Sequence, residues 1–167
     1  FAQWFTDSIL RFDFLDRRKN TSNHDIDLCS IYGLTEKTCR ILRTRKGGLL
    51  RSQMINGEEY LEHLCEKGPG FPVRADFAGL PVANRAVPVI LDSFAGLDPP
   101  REPYLYATGL ERGNSSIGYV AISTIFMREH NRIARDLERL NPTWNDERIF
   151  QTARIINIVI LMKLVVE

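Results

Sequence analysis

The sequence is poor in the residues on which metal and disulfide frameworks depend. It contains three cysteines, Cys29, Cys39 and Cys65. Their number is odd and no C-x-x-C spacing occurs, so neither a disulfide framework nor a zinc site is indicated. The three thiols are expected to be reduced and partly buried. Histidine is equally scarce, with only His24, His63 and His130.

An excess of charge of one sign and a long apolar run are also lacking. The chain has 22 basic and 21 acidic residues and a net charge of +1, which excludes a nucleic-acid footprint at the level of the whole chain. The apolar run from Ile155 to Val166 is interrupted by Asn157 and Lys163, and is predicted to be too short and too polar to span a membrane. No signal peptide or internal repeat is visible, and no compartment is indicated.

What is present fits one soluble globular domain of 167 residues, with 44% hydrophobic and 26% charged residues. The first residues, F-A-Q-W-F, and the last, L-V-V-E, are both typical of helix interiors rather than of chain termini. We therefore expect the sequence to be part of a longer protein.

The longest predicted element is a helix from Arg112 to Leu140. Its apolar residues recur close to the 3.6-residue period of a buried helical face; they are Ile122, Phe126, Ile133, Leu137 and Leu140. Asn114, Ser115 and Ser116 offer side-chain oxygens that can cap its start. Within it, the run Arg128–Arg132 must place some polar side chains inward, because a helix turns about 100° per residue. An inward charge needs a partner.

The chain begins with a predicted amphipathic helix from Phe1 to Phe14. Gln3 and Asp7 lie four residues apart on it, so their side chains project in the same direction. From spacing alone, a Gln–Asp pair on the surface is the simpler interpretation.

Shorter elements are predicted next. They are a helical turn within Asp25–Gly33 that Asp27 could cap, a helix over Thr35–Leu42, and a β-hairpin over Arg43–Gln53 around a Gly-Gly pair. The segment Met54–Pro103 contains most of the prolines and predicts long irregular connections, with a break at Pro99-Pro100.

A last helix is predicted after Asn145, which can cap it, with Asp146 and Glu147 in its first turn. Its wide apolar face predicts a buried helix; the face consists of Ile149, Phe150, Ala153, Ile156, Ile160 and Leu164. The whole pattern predicts a mainly α fold with one short β-hairpin.

Several short motifs occur in order along nearly the whole chain. They are F-A-Q-x-F-T at Phe1–Thr6, Asp27-Leu28 followed by Ile31-Tyr32-Gly33, Lys46-Gly47 with Gln53, Asn56-Gly57-Glu58, Arg128-Glu129-His130-Asn131-Arg132, and Asn141-Pro-Thr-Trp followed by Phe150-Gln-Thr. In this combination the sequence resembles the peroxidase–cyclooxygenase superfamily of animal-type haem peroxidases, and its cyclooxygenase-like members in particular.

The resemblance implies that residues 1–167 are the distal part of a haem-peroxidase-like, mainly helical catalytic domain. The proximal haem-ligating His, and the Tyr that carries the radical in the oxygenase branch, would lie beyond Glu167, so no metal ligand is expected within the chain. The cofactor implied is haem b, which this chain alone should bind weakly or not at all, since the iron–imidazole bond anchors it.

The family also implies residue roles. Gln3 matches the distal Gln, whereas Asp7 stands where the family has its distal His. Arg112, sixteen residues before Arg128, matches the distal Arg of the peroxidase branch. Ser115 and Ser116 replace two residues that link covalently to haem in some mammalian members, so no such links are expected. Ala2, Thr6 and these two serines would line the haem edge.

The departure at Asp7 leaves two interpretations open. Heterolysis of a peroxide needs a base that moves a proton between the oxygens and positive charge that stabilises the developing anion. A carboxylate can act as that base if its pKa suits, and an Asp–Arg distal pair resembles the arrangement in the unrelated dye-decolourising peroxidases. Asp7 would then be the acid–base group, Arg112 the electrostatic stabiliser and Gln3 the residue that positions water or peroxide. Alternatively, Asp7 only forms a salt bridge with Arg112 or Arg11.

Two readings of function follow from the resemblance. The first is a haem-dependent oxidoreductase, a peroxidase or fatty-acid dioxygenase, that takes hydrogen peroxide or O2 and a small organic or fatty-acid substrate. It would associate with the rest of its own catalytic domain or form a homo-oligomer, without nucleic acid. The alternative is a non-catalytic scaffold that has lost the distal His. His130 is expected to serve packing and buried polar pairing rather than to bind iron.

Overall fold

Two long helices form the centre of this computed structural model, which describes residues 1–13, 16–21, 25–67, 71–82 and 104–167. The elements in these ranges are α1 (Ala2–Ile9), α2 (Cys29–Tyr32), α3 (Glu36–Leu42), β1 (Gln53–Ile55), β2 (Glu58–Tyr60), a 3-10 helix (Ala75–Phe77), α4 (Ile117–Leu140) and α5 (Asp146–Val166). The prediction of a mainly α fold with one short hairpin is confirmed. The predicted break at Pro99-Pro100 and the loop residue His24 lie outside the described residues.

α4 begins at Ile117 and not at Arg112 as the sequence predicted. Ser116 is its cap, with the hydroxyl accepting a hydrogen bond from the Tyr119 amide at 3.2 Å. Asn114, which could have capped the helix, instead exchanges two hydrogen bonds with the backbone of Tyr106, at 2.8 and 2.9 Å. These bonds hold the preceding residues in turns, so Arg112 and Ser115 lie before the helix.

The buried face of α4 contacts α1 on one side and α5 on the other. The Trp4 ring of α1 stacks on Phe126 at 5.2 Å and donates its indole N–H to the Ser123 hydroxyl at 3.0 Å. On the other side, α5 runs antiparallel to α4: Asn157 donates a hydrogen bond to the Phe126 carbonyl, and Ile149 packs near Ile133. His130 and Asn131, two residues of the polar run Arg128–Arg132, are fully buried. This confirms that part of the run points inward.

α1 ends at Ile9, several residues before the predicted end at Phe14. Leu10 is already extended, and the chain that follows pairs with residues 19–21. Phe12 forms an antiparallel bridge with Asn20, the Asp13 amide donates to the Lys19 carbonyl, and the Thr21 amide donates to the Arg11 carbonyl. Because these backbone groups are used between two extended segments, the helix cannot continue through them.

The regular β-hairpin lies one segment later than predicted. β1 and β2 pair antiparallel across Asn56-Gly57, whose φ values of 51° and 84° suit a two-residue hairpin turn. The predicted hairpin, Arg43–Gln53, has a single isolated bridge between Arg43 and Leu50. Two backbone hydrogen bonds flank this bridge, from the Thr44 amide to the Leu49 carbonyl at 2.9 Å and from the Arg51 amide to the Leu42 carbonyl at 2.8 Å. Other polar groups of the segment bind α4: the Gly48 carbonyl contacts His130 and the Leu50 amide donates to the Asn131 carboxamide at 2.8 Å.

The predicted cap of α5 is confirmed, and the structure adds a cap of α3 at Thr35. The Thr35 hydroxyl accepts from the Thr38 amide at the start of α3, and the Asn145 carboxamide accepts from the Arg148 amide at 2.9 Å at the start of α5. Asp27 accepts from the Cys29 amide at 3.0 Å beside α2. Local side-chain chemistry therefore sets the starts of α3 and α5.

The predicted full burial of α5 is wrong. Its buried residues are Ile149, Phe150, Ala153, Asn157 and Leu161, whereas Ile156 and Leu164 of the predicted apolar face are exposed. The whole helix is also long and apolar enough to cross a membrane by length and composition, so the expectation drawn from the shorter Ile155–Val166 run does not hold for α5. A core helix of a soluble protein meets the same criterion.

Gly109, in the segment before α4, lies directly against the backbone of α2. Its amide donates to the Ser30 carbonyl at 2.8 Å. A Cβ atom at this position would lie 2.1 Å from the Cys29 carbonyl oxygen and 2.4 Å from the Gly33 nitrogen. Any side chain here must push the two segments apart.

We predict that Gly109→Ala lowers the free energy of unfolding by about 2 kcal/mol, because backbone atoms cannot yield as side chains do. Denaturant titration of the purified protein measures the change. Gly118→Ala is the matched control, since only the Ser116 hydroxyl lies near, at 3.9 Å, and alanine is the better helix former. Equal stability of the two variants would contradict the prediction.

Candidate functional site

Asp7 and Arg112 are in direct contact. Arg112 Nη1 donates to Asp7 Oδ1 at 3.0 Å, and the two side chains are 29% and 15% exposed. α1 brings the carboxylate, and the turn before α4 brings the guanidinium. The structure therefore places two of the predicted site residues at one accessible spot, and this contact fits both interpretations of Asp7.

The position of Arg112 is set by its neighbours in the turn. The Gly113 amide donates to the Leu110 carbonyl at 3.1 Å, and the Ser115 amide donates to the Arg112 carbonyl at 2.9 Å. The guanidinium carbon lies 5.5 Å from the centre of the Phe12 ring, a cation–π distance. Backbone turns and an aromatic face together hold the charged group towards α1.

Of the two cations considered for Asp7, Arg112 makes the contact. Arg11 lies near the buried Glu111, with Arg11 Nε 3.8 Å from a Glu111 carboxylate oxygen. Glu111 is next to Arg112 in the chain and is only 7% exposed. The site thus contains two acid–guanidinium pairs side by side. Within each pair, the negative charge of the acid and the positive charge of the guanidinium neutralise each other.

The other predicted haem-edge residues, called the rim below, are exposed on the two segments that carry Asp7 and Arg112. Gln3 lies one helical turn before Asp7 on α1 and is exposed, as are Ala2 and Thr6. Ser115 and Ser116 are exposed at the entrance to α4, although the Ser116 hydroxyl is used as the helix cap.

Sequence reasoning missed Tyr119, the buried side chain behind the pair. It is 3% exposed, and its hydroxyl has no hydrogen-bond partner within the part of the chain that the structure describes. Burial raises the pKa of Tyr119, with Cys29, Asp7 and Glu111 adding to the rise. Its ring centre lies 6.3 Å from that of Trp4. The only sequence signal for Tyr119 was its position one helical turn after Ser115 and Ser116, on the apolar face of α4.

His130 is fully buried in a chain of hydrogen bonds away from this site. Its Nε2 lies 2.9 Å from the Gly48 carbonyl oxygen, which can only accept, so Nε2 carries the proton. Nδ1 then accepts from the Tyr32 hydroxyl at 2.8 Å, and that hydroxyl accepts from Asn157 at 3.1 Å. Both ring nitrogens are used, which confirms the predicted structural role and leaves neither nitrogen for a metal ion.

Among the described residues, groups that could act on an oxygen ligand are present, but a cluster of metal ligands is not. The carboxylate of Asp7 and the guanidinium of Arg112 are in contact, and the exposed Gln3 carboxamide lies one turn earlier on α1. His63 contacts Tyr104 and Tyr106 elsewhere, and His24 lies outside the described residues. Among the residues that the structure describes, no group of three or more His, Cys, Asp or Glu side chains could hold a metal ion.

Residues 15–167 of the chain match the family of animal haem peroxidases. Prostaglandin G/H synthase 2 of Bos taurus is 33% identical over 172 residues, which cover 100% of this chain and 24% of that protein. Peroxinectin A of Dictyostelium discoideum is 35% identical over 136 residues, which cover 81% of this chain and 21% of that protein.

Solved structures show the same likeness. Peroxidase A from Dictyostelium discoideum superimposes with a TM-score of 0.57 at 30% identity, over 84% of this chain and 23% of that one. A fatty acid alpha-dioxygenase of Arabidopsis thaliana gives a TM-score of 0.51 at 21% identity, over 84% of this chain and 16% of that one; at this identity the likeness concerns the fold alone. The chain thus spans about a quarter of the length of the curated relatives it matches.

We predict that His130 makes stability depend on pH. Burial lowers the pKa of His130 from 6.5 to about 4, so the unfolded chain binds more protons than the folded one between these values. Stability contributed by the neutral ring is complete above pH 6.5 and is lost as the pH falls towards 4. At pH 5 the loss is about 2 kcal/mol.

Denaturant titration at pH 7 and pH 5 measures this loss. His130→Gln is the matched variant, because its carboxamide keeps a donor and an acceptor but does not titrate. It should be less stable at pH 7 and less sensitive to pH. An identical pH dependence in both proteins would show that another group is responsible.

Proposed function

Because the chain belongs to the animal haem peroxidase family, we propose that it forms the distal part of a haem-dependent oxidoreductase that acts as a peroxidase or a fatty-acid dioxygenase. The observation that carries this proposal is the contact between Asp7 and Arg112 beside an open rim. The family implies haem as the cofactor, and haem b is the form we propose. Peroxide or O2 is the oxidant, with a small organic molecule or fatty acid as the second substrate.

In this proposal, five residues line the haem edge around the charged pair. They are Ala2, Gln3 and Thr6 on α1, and Ser115 and Ser116 at the entrance to α4. When bound, the haem supplies an iron centre at which peroxide or O2 can react. In this proposal the proximal His lies outside residues 1–167, as the resemblance implies, and His130 keeps its structural role with both nitrogens in hydrogen bonds. The remaining catalytic domain, or a second copy of the protein, would complete the site.

Asp7 is the proton carrier of the proposed mechanism. Its Oδ1 is held by Arg112, while its Oδ2 makes no hydrogen bond within the described residues, so it can accept the proton of a hydroperoxide. The same carboxyl group returns that proton to the leaving oxygen. Arg112 faces the negative charge that develops on the oxygens, and the exposed Gln3 carboxamide orients the peroxide or a water molecule.

A second candidate function is a non-catalytic scaffold. The observation in its favour is the same contact, because a mutual ion pair satisfies both charges without any proton transfer. Asp7 also stands where the resemblance expects the distal His. A protein of this kind would keep the helical frame, with its buried His130 network, as a binding or interaction module.

We predict that Arg112→Ala slows the peroxide-induced change in haem absorbance of the full-length protein by about 100-fold, because the developing negative charge loses its stabiliser. Stopped-flow spectroscopy in the Soret region measures the rate. Arg18→Ala is the matched control: Arg18 is also paired with an aspartate, Asp16, but its side chain is 90% exposed. An unchanged rate in Arg112→Ala would remove the proposed role.

We also predict opposite effects of two substitutions at Asp7. Asp7→Asn removes the proton acceptor and should slow the same reaction by about 100-fold, whereas Asp7→His restores a base and should keep or raise the rate. The scaffold function predicts instead that the wild-type protein and both variants show no peroxide-induced change in haem absorbance. Absence of haem uptake by the full-length protein, seen as a missing Soret band, would rule out the enzyme altogether.

A further inference from the structure

A second cleft lies between α3 and the first half of α5. Its volume is about 580 Å³, which is in the range of small-molecule sites. None of its lining residues belongs to the Asp7–Arg112 pair or to the rim. Most of the lining is charged, with four arginines and four acids: Arg40, Arg43, Arg45, Arg154, Asp27, Glu36, Asp146 and Glu147. Because these charges sum to zero, their pairing decides what the cleft can bind.

Three of the four acids are already held by arginines. Arg43 donates from one guanidinium nitrogen to Asp146 at 2.8 Å and from another to Glu147 at 2.7 Å. Glu36 accepts a hydrogen bond from Arg40, one turn later on α3. Charges that are paired in this way have little attraction left for a ligand. Two arginines and one acid of the lining take no part in these pairs.

The remaining acid, Asp27, does not hold Arg154. Its Oδ1 accepts from the Cys29 amide at 3.0 Å, and Asp27 and Arg154 share no hydrogen bond or ion pair in the described structure. Burial raises the pKa of Asp27, and the positive charge of Arg154 lowers it. The two groups therefore influence each other through space but are not in contact.

Arg154 is a partly buried cation that lacks an anionic partner within the described ranges. Its guanidinium carbon lies 5.1 Å from the centre of the Tyr32 ring, and the Tyr32 hydroxyl is fixed by His130 and Asn157. Arg43 has a similar setting, 3.7 Å from the centre of the Phe150 ring, but it binds two carboxylates. A guanidinium has five N–H donors, and charge-assisted bonds to an anion are the strongest that it can make.

We infer that this cleft binds a small polar molecule through an oxyanion group, a carboxylate or a phosphate, that Arg154 recognises. The planar guanidinium matches two oxygens of such a group at once. Arg45, which lines the same cleft and is exposed, adds a second positive charge for a ligand with two negative charges. A purely apolar ligand does not fit, because it would desolvate the charged lining without replacing its hydrogen bonds.

Calorimetric titration of the full-length protein with succinate, and separately with inorganic phosphate, tests the inference. Sodium chloride at matched ionic strength controls for screening. We expect saturable binding of at least one probe, and the tighter of the two identifies the group that the cleft prefers. Arg154→Gln should weaken this binding by about tenfold or more, because charge-assisted hydrogen bonds are lost. Arg154→Lys should weaken it less, because lysine keeps the charge without the planar fork.

Arg148→Gln is the matched control. Arg148 lies on the same helix, and its guanidinium carbon is 4.3 Å from the centre of the Trp144 ring, but it lies outside the cleft. Its loss should leave the affinity unchanged. Asp27→Asn should raise the affinity by about twofold or more, because it removes a negative charge near Arg154 and keeps the oxygen that accepts from the Cys29 amide.

Three results would overturn the inference. The first is that neither probe binds more than chloride does. The second is that wild type and Arg154→Gln bind equally well. The third is that Arg148→Gln weakens binding as much as Arg154→Gln, which would indicate attraction to the whole surface.

Two variants decide the question if Arg154→Gln does not fold. Weaker binding by Arg154→Lys together with tighter binding by Asp27→Asn supports the inference, and unchanged affinity in both overturns it. The titrations require no haem. Failure of the predictions for Arg112 and Asp7 would therefore leave this inference standing, and its own failure would leave the proposed function untouched.

Discussion

One continuous chain of buried hydrogen bonds fixes the frame on which the rest depends. It runs from Asn157 of α5 through the Tyr32 hydroxyl and the His130 ring to the Gly48 carbonyl. The Gly48 carbonyl can only accept a hydrogen bond, so His130 must donate to it and must accept from the Tyr32 hydroxyl at its other nitrogen. That hydroxyl in turn accepts from Asn157. Three segments far apart in sequence are thereby held against α4, inside a core where an unpaired polar group is costly.

The candidate site lies at the surface, but its geometry comes from this frame. α2, which contributes Tyr32, also accepts the Gly109 amide through the Ser30 carbonyl. Gly109 begins the turn that presents Arg112, while the stacking of Trp4 on Phe126 docks the helix that presents Asp7. A charged pair with modest energy of its own therefore adopts a defined position, because each partner is carried by an element that the core has already placed.

Local chemistry was predictable from the sequence, and long-range pairing was not. The caps at Ser116 and Asn145 depend on side chains within three residues, and the buried side of Arg128–Arg132 follows from helical period alone. The early end of α1, by contrast, depends on pairing with residues 19–21, and the segment around Gly47-Gly48 is held against α4 by His130 and Asn131, some eighty residues away. The site followed from the family resemblance rather than from spacing, and Tyr119 escaped because an apolar-face tyrosine carries no signal of its own.

Trp4 can serve as an intrinsic fluorescence probe of α1 and of the rim. It is one of two tryptophans, is almost completely shielded from water, and precedes Asp7 by less than one helical turn. Its emission spectrum should be that of an indole in a dry environment, and any strongly absorbing chromophore that settles over the rim would quench it by resonance energy transfer. Once Trp144, the other tryptophan, is replaced by phenylalanine, docking of α1 and occupancy of the rim can thus be followed through one native fluorophore, without a label.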